Sequence, residues 1–245
     1  MKKLWAPLVV FIAALGLLEV LAFAGLLNRS LLPAPSDLFK VLKEMPEDIW
    51  IASAETLLNS FLGFLSSIIF GLIIAFAFSI SRPLREAILP FAIFFQTVPI
   101  IAISPLLVIY LGFGAPTVIA SAFIVSIFPI IANTLVGLES YQKDQLDLFK
   151  VYKATSFQIL FKLKVPSAYR HIYAGFKISA GLSIVGVIAG EFVAGGGLGA
   201  LIDSARTQQR VDIVFVALLA LALIGLLYLG ILALINFTIS KRRPL

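Results

Sequence analysis

The residues of this chain that could carry chemistry are few. It has one histidine, His171, and no cysteine, so neither a thiolate metal site nor a cluster of imidazole ligands can be assembled. It contains no His-Glu-x-x-His, no Gly-x-Ser-x-Gly elbow and no Gly-x-x-x-x-Gly-Lys-Ser/Thr phosphate loop. A hydrolytic or nucleotide-cleaving role therefore lacks its residues, and no cofactor is expected on this chain. What remains is polar groups in apolar surroundings: Glu19, Lys177, Glu191 and Asn133 all stand in long hydrophobic runs. Each is costly there unless paired, which makes it a candidate for function. Lys177 and Glu191 lie about 21 Å apart along a helix and cannot pair directly. His171 is expected at the membrane interface.

The elements that hold these groups follow from composition. Hydrophobic residues make up 60% of the 245 and charged residues 13%, against about 45–50% and about 25% in a soluble domain. The apolar runs are about 20 residues long, enough to cross a ~30 Å hydrocarbon core as helices. The expected fold is all-α, a polytopic helical membrane protein with six transmembrane helices, over about 4–27, 56–80, 87–111, 117–138, 172–193 and 211–237. The first run follows Lys2 and Lys3 and exceeds the ~7–15 residues of a signal core, so it is expected to be retained despite Ala22-Phe23-Ala24.

Between the spans, Asn28 to Glu55 is polar, with Ser36 expected to N-cap a short helix through Lys43. Ser81 to Glu86 reads as a short basic turn. The third span carries Pro90, Pro99 and Pro105, whose missing hydrogen bonds call for a buried, pathway-lining position. In the fourth span Asn133 is expected to bond a neighbouring helix. The glycine-rich bend from Gly195 to Gly199 leads into a segment that is either re-entrant or superficial.

Lys and Arg placement sets the orientation. With the N-terminus inside, thirteen of the 19 Lys and Arg fall on inner segments and five, Arg29, Lys40, Lys43, Arg206 and Arg210, on outer ones, leaving Lys177 in a span. The positive-inside rule then places both termini in the cytoplasm. The formal charge of +6 is spread over these segments, so lipid bilayer and no nucleic acid is the expected surrounding.

The long inner segment, 139–171, is the one stretch that mixes apolar and basic residues at helical spacing. Thr155 and Gln158 fit a capping box, which starts a helix at Ser156 after an earlier one ends near Ala154. Pro166 is expected to stop it, and Lys162 and Lys164 would then suit its C-terminal dipole. Phe157 and Phe161, four apart, form an aromatic ridge. Such a ridge lies in the lipid interface or fills a groove on a soluble partner; the residues alone leave both open.

The order Asp147 … Lys153-Ala154-Thr155-Ser156-Phe157-Gln158 … Phe161 … Pro166 resembles the EAA loop of binding-protein-dependent ABC importer permeases. The stretches from Ser81 to Pro90, Phe128 to Leu138, Gly190 to Phe192 and Gly197 to Ile202 resemble the nitrate/sulfonate/taurine/bicarbonate branch of that family. The family has glycine where Lys153 stands, and Glu-Ala-Ala where Asp147-Leu148-Phe149 stands. The resemblance implies a type I ABC importer permease fold and a homodimer, a second copy of the chain, in the inner membrane. Its coupling helix would seat on a cytoplasmic ABC ATPase dimer that holds ATP and Mg. It implies an extracytoplasmic substrate-binding protein docking on outer residues such as Asp37, Glu47, Arg206 and Arg210, and a pathway or gate near Pro99, Pro105, Asn133 and Glu191. The cargo would be a small anion or a vitamin precursor. An ion-coupled secondary transporter is the competing reading; a membrane-embedded enzyme is a weaker one.

Overall fold

The computed structural model describes residues 5–26, 28–29 and 31–242. Lys2, Lys3, Leu4, Leu27 and Arg243, which entered the expectations above, lie outside them. Helices α1 (Trp5–Phe23), α2 (Pro35–Glu44), α3 (Pro46–Ile80), α4 (Arg82–Thr97), α5 (Ile100–Leu111), α6 (Ala115–Leu138), α7 (Lys143–Val151), α8 (Ser156–Ile159), α9 (Val165–Ala194), α10 (Gly197–Thr207) and α11 (Val211–Arg242) follow in order. Four runs are long and apolar enough to cross a membrane: Pro46–Ile80, Ala115–Leu138, Ser156–Ala194 and Val211–Ile239. Ile12–Phe23 and Ile100–Leu111 are shorter apolar helices.

Several boundaries differ from the sequence reading for identifiable reasons. Ser36 is not the cap of α2. Pro35 takes the first helical turn, Ala34 is the cap residue, and Asp37 accepts the Ala34 N–H at 3.2 Å; Pro has no N–H to satisfy at that position. Helix α3 begins at Pro46, ten residues before the expected span, because Pro46, Glu47 and Asp48 make a good first turn. Ser81 is a cap and not part of a turn: its Oγ accepts the Leu84 N–H at 3.4 Å, and α4 starts at Arg82. The third expected span is two helices, interrupted at Val98–Pro99, while Pro90 and Pro105 sit inside them.

Pro166 does not stop the helix that starts at Ser156. Residues Leu160–Lys164 form one π turn, in which Val165 N–H bonds Leu160 O five residues back. A proline clashes with the carbonyl four residues earlier and offers no donor. The widened turn before it accommodates both defects, so the rod runs unbroken from Ser156 to Ala194. Lys162 and Lys164 consequently sit inside the rod, two turns from its start, with no C-terminal end to stabilise. Lys164 Nζ instead donates to Ser79 Oγ at 3.0 Å and to Ser79 O at 3.3 Å.

At the centre, α6 packs along α9, with α3 against both. The approach is close because small residues line it: a Cβ on Gly186 would come within 2.7 Å of the Ala122 Cα. Hydroxyls stitch the same seam. Ser126 and Ser67 share a hydrogen bond at 2.7 Å, and Ser179 donates to Ser126 O at 2.6 Å. On the other side of α9, Phe64, Ala180, Leu198, Ile224 and Tyr228 form an apolar cluster. Tyr228 closes it with a 2.6 Å bond to Ser60.

Candidate functional site

Three regions bring polar or exposed groups together. The first is the segment from Glu139 to His171. Helix α7 ends at Val151 with Tyr152 as its cap, and Lys153 then takes φ +51°, the left-handed conformation that usually falls to glycine. Lys153 N–H bonds Lys150 O at 2.9 Å and Ala154 N–H reaches Phe149 O at 3.0 Å, closing the carbonyl end of α7. Thr155 immediately opens the next helix. Its Oγ1 accepts the Gln158 N–H at 3.3 Å, and its own N–H donates to Gln158 Oε1 at 2.8 Å, the reciprocal box that the sequence suggests.

Phe157 and Phe161 therefore emerge on the first turns of a fixed rod. Their rings lie 4.6 Å apart and are 66% and 45% exposed. Phe161 also meets Phe76 of α3 edge-on at 5.9 Å, which sets the ridge against the bundle. Of the residues singled out for coupling, Ala154, Thr155, Ser156, Phe157, Gln158 and Phe161 are brought to one place. Asp147 lies on α7, paired with Lys150 at 2.9 Å, and Pro166 lies further along the rod.

The second region is at the opposite end. Gly195, Gly196 and Gly197 have φ of +80°, +87° and +58°, and the chain turns back into α10. The first N–H groups of a helix need acceptors, and this bend has no side chain to supply them. They come from other helices. Glu55 accepts the Gly197 N–H at 2.9 Å, Thr56 Oγ1 accepts the Leu198 N–H at 2.8 Å, and Glu191 accepts the Gly199 N–H at 2.8 Å. Thr56 donates in turn to Glu191 at 2.7 Å. Glu191 is 1% exposed, and any side chain at Gly197 would run into its carboxylate. The structure thus places Glu191 in a cap that ties α3, α9 and α10 together.

Beyond the far end of α10, an open hollow of about 310 Å³ is lined by Arg29, Pro33, Asp37, Lys40, Glu44, Gln209, Arg210, Val211 and Asp212. Asp37 bonds Lys40 at 3.0 Å and Ala34 N–H at 3.2 Å, with Arg29 at 3.7 Å. Chiefly through Lys40, its carboxyl is held below the usual carboxylate range. Arg210 bonds Asp212 at 2.8 Å and faces Glu44 at 3.7 Å; Asp212 raises the guanidinium further. Of the four outer candidates, Asp37 and Arg210 share this hollow. Glu47 lies on the first turn of α3, and Arg206 pairs with Asp203 at 2.8 Å.

The third region is the interruption at Val98–Pro99. It opens on a cavity of about 240 Å³ lined by Gln96, Val98, Pro99, Ile100, Ile124, Val125 and Leu182. Pro105 lies a turn and a half further along α5. Asn133 does not bond a neighbouring helix; its Nδ2 donates to Pro129 O at 2.8 Å within α6, where a proline has disturbed the local ladder. The sequence reading missed Glu55 and Thr56. The signal was available in a three-glycine bend feeding a helix with no capping residue of its own, which obliges distant side chains to complete it.

Comparison with known proteins places these features in a family. Residues 67–241 match the family described as binding-protein-dependent transport system inner membrane component. A probable ABC transporter permease protein of Haemophilus influenzae is 32% identical over 94% of this chain and 94% of its own length. The formylaminopyrimidine transport permease protein ThiX of Halalkalibacterium halodurans is 29% identical over 80% of each chain. The nitrate import permease protein NrtB of a Synechocystis species is 29% identical over 67% of this chain and 60% of its own length. Among solved structures, a chain of the MetNI methionine ABC transporter in an inward-facing conformation superposes with TM-score 0.64 at 18% identity, covering 78% of this chain and 97% of that one. The helical arrangement is therefore that of an ABC importer's transmembrane subunit, and the chain belongs to the family of binding-protein-dependent transport system inner membrane components.

Proposed function

We propose that this permease works as a homodimer whose Phe157–Phe161 ridge seats in a groove on the importer's cytoplasmic ATPase. The observation that carries this reading is the ridge itself: two adjacent, exposed rings, tilted 47° to each other, on the first turns of a rod that continues unbroken to the far end of the bundle. An exposed aromatic pair is costly in water and is a good anchor in an apolar groove. ATP and Mg belong to the partner, and this chain supplies the pathway.

Both termini lie in the cytoplasm in this reading, and α4 with α5 makes one interrupted crossing, giving six with α1. The hollow containing Asp37 and Arg210 faces the extracytoplasmic substrate-binding protein, as do Glu47 and Arg206. Pro99 and Pro105 shape the pathway beside Asn133, and Glu191 acts on it by holding α10. A small anion is the cargo class nearest the nitrate permease and a vitamin precursor the one nearest the formylaminopyrimidine permease. The anion is favoured by Lys177, an ammonium on a bundle helix without an acidic partner among the described residues.

The test is affinity purification of the tagged chain in mild detergent, beside Phe157→Asp, with co-purifying proteins identified and ATP hydrolysis measured. Recovery of an ATPase with the parent and its loss with the variant is the expected result. An ATPase retained by both would remove the ridge from the contact, and none with either would end the importer reading.

A further inference from the structure

Lys177 is used by none of the contacts that hold the fold together. It is exposed, and its Nζ lies over the Tyr173 ring at 5.3 Å. Among the described residues it has no ion pair. Its depth can be read from the α6–α9 seam. Ser179 donates to Ser126 O, and Ser126 is halfway along α6 (Ala115–Leu138). Tyr173 is six residues below Ser179, about 9 Å along the axis, against a hydrocarbon half-thickness of about 15 Å. The ammonium thus lies inside the apolar slab. Against lipid it would be strongly disfavoured; against water or an anion it is not.

The face it occupies is also bare. One side of α9 is taken by α6 through Gly175, Ser179 and Gly186, and another by the cluster that includes Ala180. Between them runs a strip with Lys177, Ile178, Gly181 and Val185; Ile178 and Val185 are half-exposed, and a Cβ on Gly181 would meet nothing within 4 Å. Arg170, seven residues before Lys177, comes round to nearly the same direction two turns closer to the cytoplasm. The acidic residue of α9, Glu191, is buried in the cap. The strip therefore carries positive charge at two successive depths.

We infer that this face of α9 is the wall of the aqueous pathway and that Lys177, followed by Arg170, selects a small oxyanion such as a carboxylate, sulfonate or nitrate. The inference rests on the importer reading and adds a residue and a charge class to it. The ammonium replaces part of the water an anion sheds on entering the slab, and Arg170 offers the next site on the way in. A cation gains neither and is repelled by both.

The chain has no cysteine, which permits a direct test. Gly181→Cys places the chain's sole thiol one turn from Lys177. In membrane vesicles containing the full permease with its ATPase, the thiol is modified with two methanethiosulfonates of similar size, one ending in sulfonate and one in trimethylammonium, and the rates are read by mass spectrometry. The sulfonate reagent is expected to react about tenfold faster. That preference should vanish when Lys177→Gln is added and persist with Lys177→Arg. A thiol that resists both reagents, or reacts with both at rates that ignore Lys177, overturns the inference. Val185→Cys repeats the measurement should Gly181→Cys fail to assemble. Absence of a co-purifying ATPase counts against the importer reading, whereas a retained ATPase with no charge preference removes only the role of Lys177.

Discussion

The two ends of the bundle handle polar and apolar groups in opposite ways. At the glycine bend polar groups answer one another: two carboxylates and a hydroxyl from α3 and α9 meet three N–H groups of α10. At the end that begins with Ser156, two aromatic rings are left in the open on a well-capped turn. The first arrangement holds helices to one another. The second is ready to be covered. The difference teaches that charge deep in the chain is not by itself a mark of transport chemistry. Glu191 holds the cap of α10, and exposed apolar surface at the other end of the bundle carries the proposed partner contact.

Substitutions at each end should separate these roles. Glu191→Leu leaves the Gly199 N–H and the Thr56 hydroxyl without their acceptor, and should destabilise the protein by about 2–5 kcal/mol. Thermal unfolding in detergent measures this, and Thr56→Val should give a smaller loss at the same site. Should Glu191→Leu unfold at the parent's temperature, the cap is not the lock described here. Phe157→Asp is expected to do the reverse: an unchanged unfolding temperature, with ATPase recovery lowered at least tenfold, or about 1.4 kcal/mol of association free energy.

Two smaller effects refine the contrast. Lys153 holds a left-handed backbone at a cost of roughly 1 kcal/mol, so Lys153→Gly should stabilise the chain by up to that amount unless the added freedom of the unfolded chain offsets it. A lower unfolding temperature would show that the lysine side chain has a compensating contact. At the outer hollow, Asp37→Asn should loosen the start of α2 by less than about 1 kcal/mol, seen as faster amide exchange there. Because the folded Asp37 carboxyl lies below its ordinary value, its contribution is complete above that ordinary value. It fades as pH falls through the depressed one. Exchange in the parent should accelerate on acidification and that in Asp37→Asn should not.

Much of this architecture was legible before any coordinates. Apolar runs gave the all-helical class because their length matches a bilayer, and the Thr155–Gln158 box gave a helix start because that pairing is local. What failed was long-range or compensated. Pro166 reads as a stop, since the sequence does not reveal that a π turn will absorb it. The cap built on Glu191 was not legible, since its partners Thr56 and Gly199 are distant in the chain or hidden in a bend. The third span reads as interrupted by Pro90, Pro99 and Pro105 alike, whereas the break falls at Pro99, which lines a cavity, and the other two sit inside helices. Lys153 stands where the family has glycine and adopts the glycine's conformation all the same, so the turn is imposed by its flanking helices.

The rod from Ser156 to Ala194 has 39 residues, about 58 Å at 1.5 Å per residue. A lever of that length magnifies: tilting its inner tip by about 5° about the opposite end sweeps roughly 5 Å of arc, comparable to the spacing of one helical turn. The rod is tied to α3 and α10 at the glycine bend and held on α6 at its middle through Ser179 and Gly186. In the proposed reading a push on the ridge is therefore felt first, and most, at the end that carries the two rings.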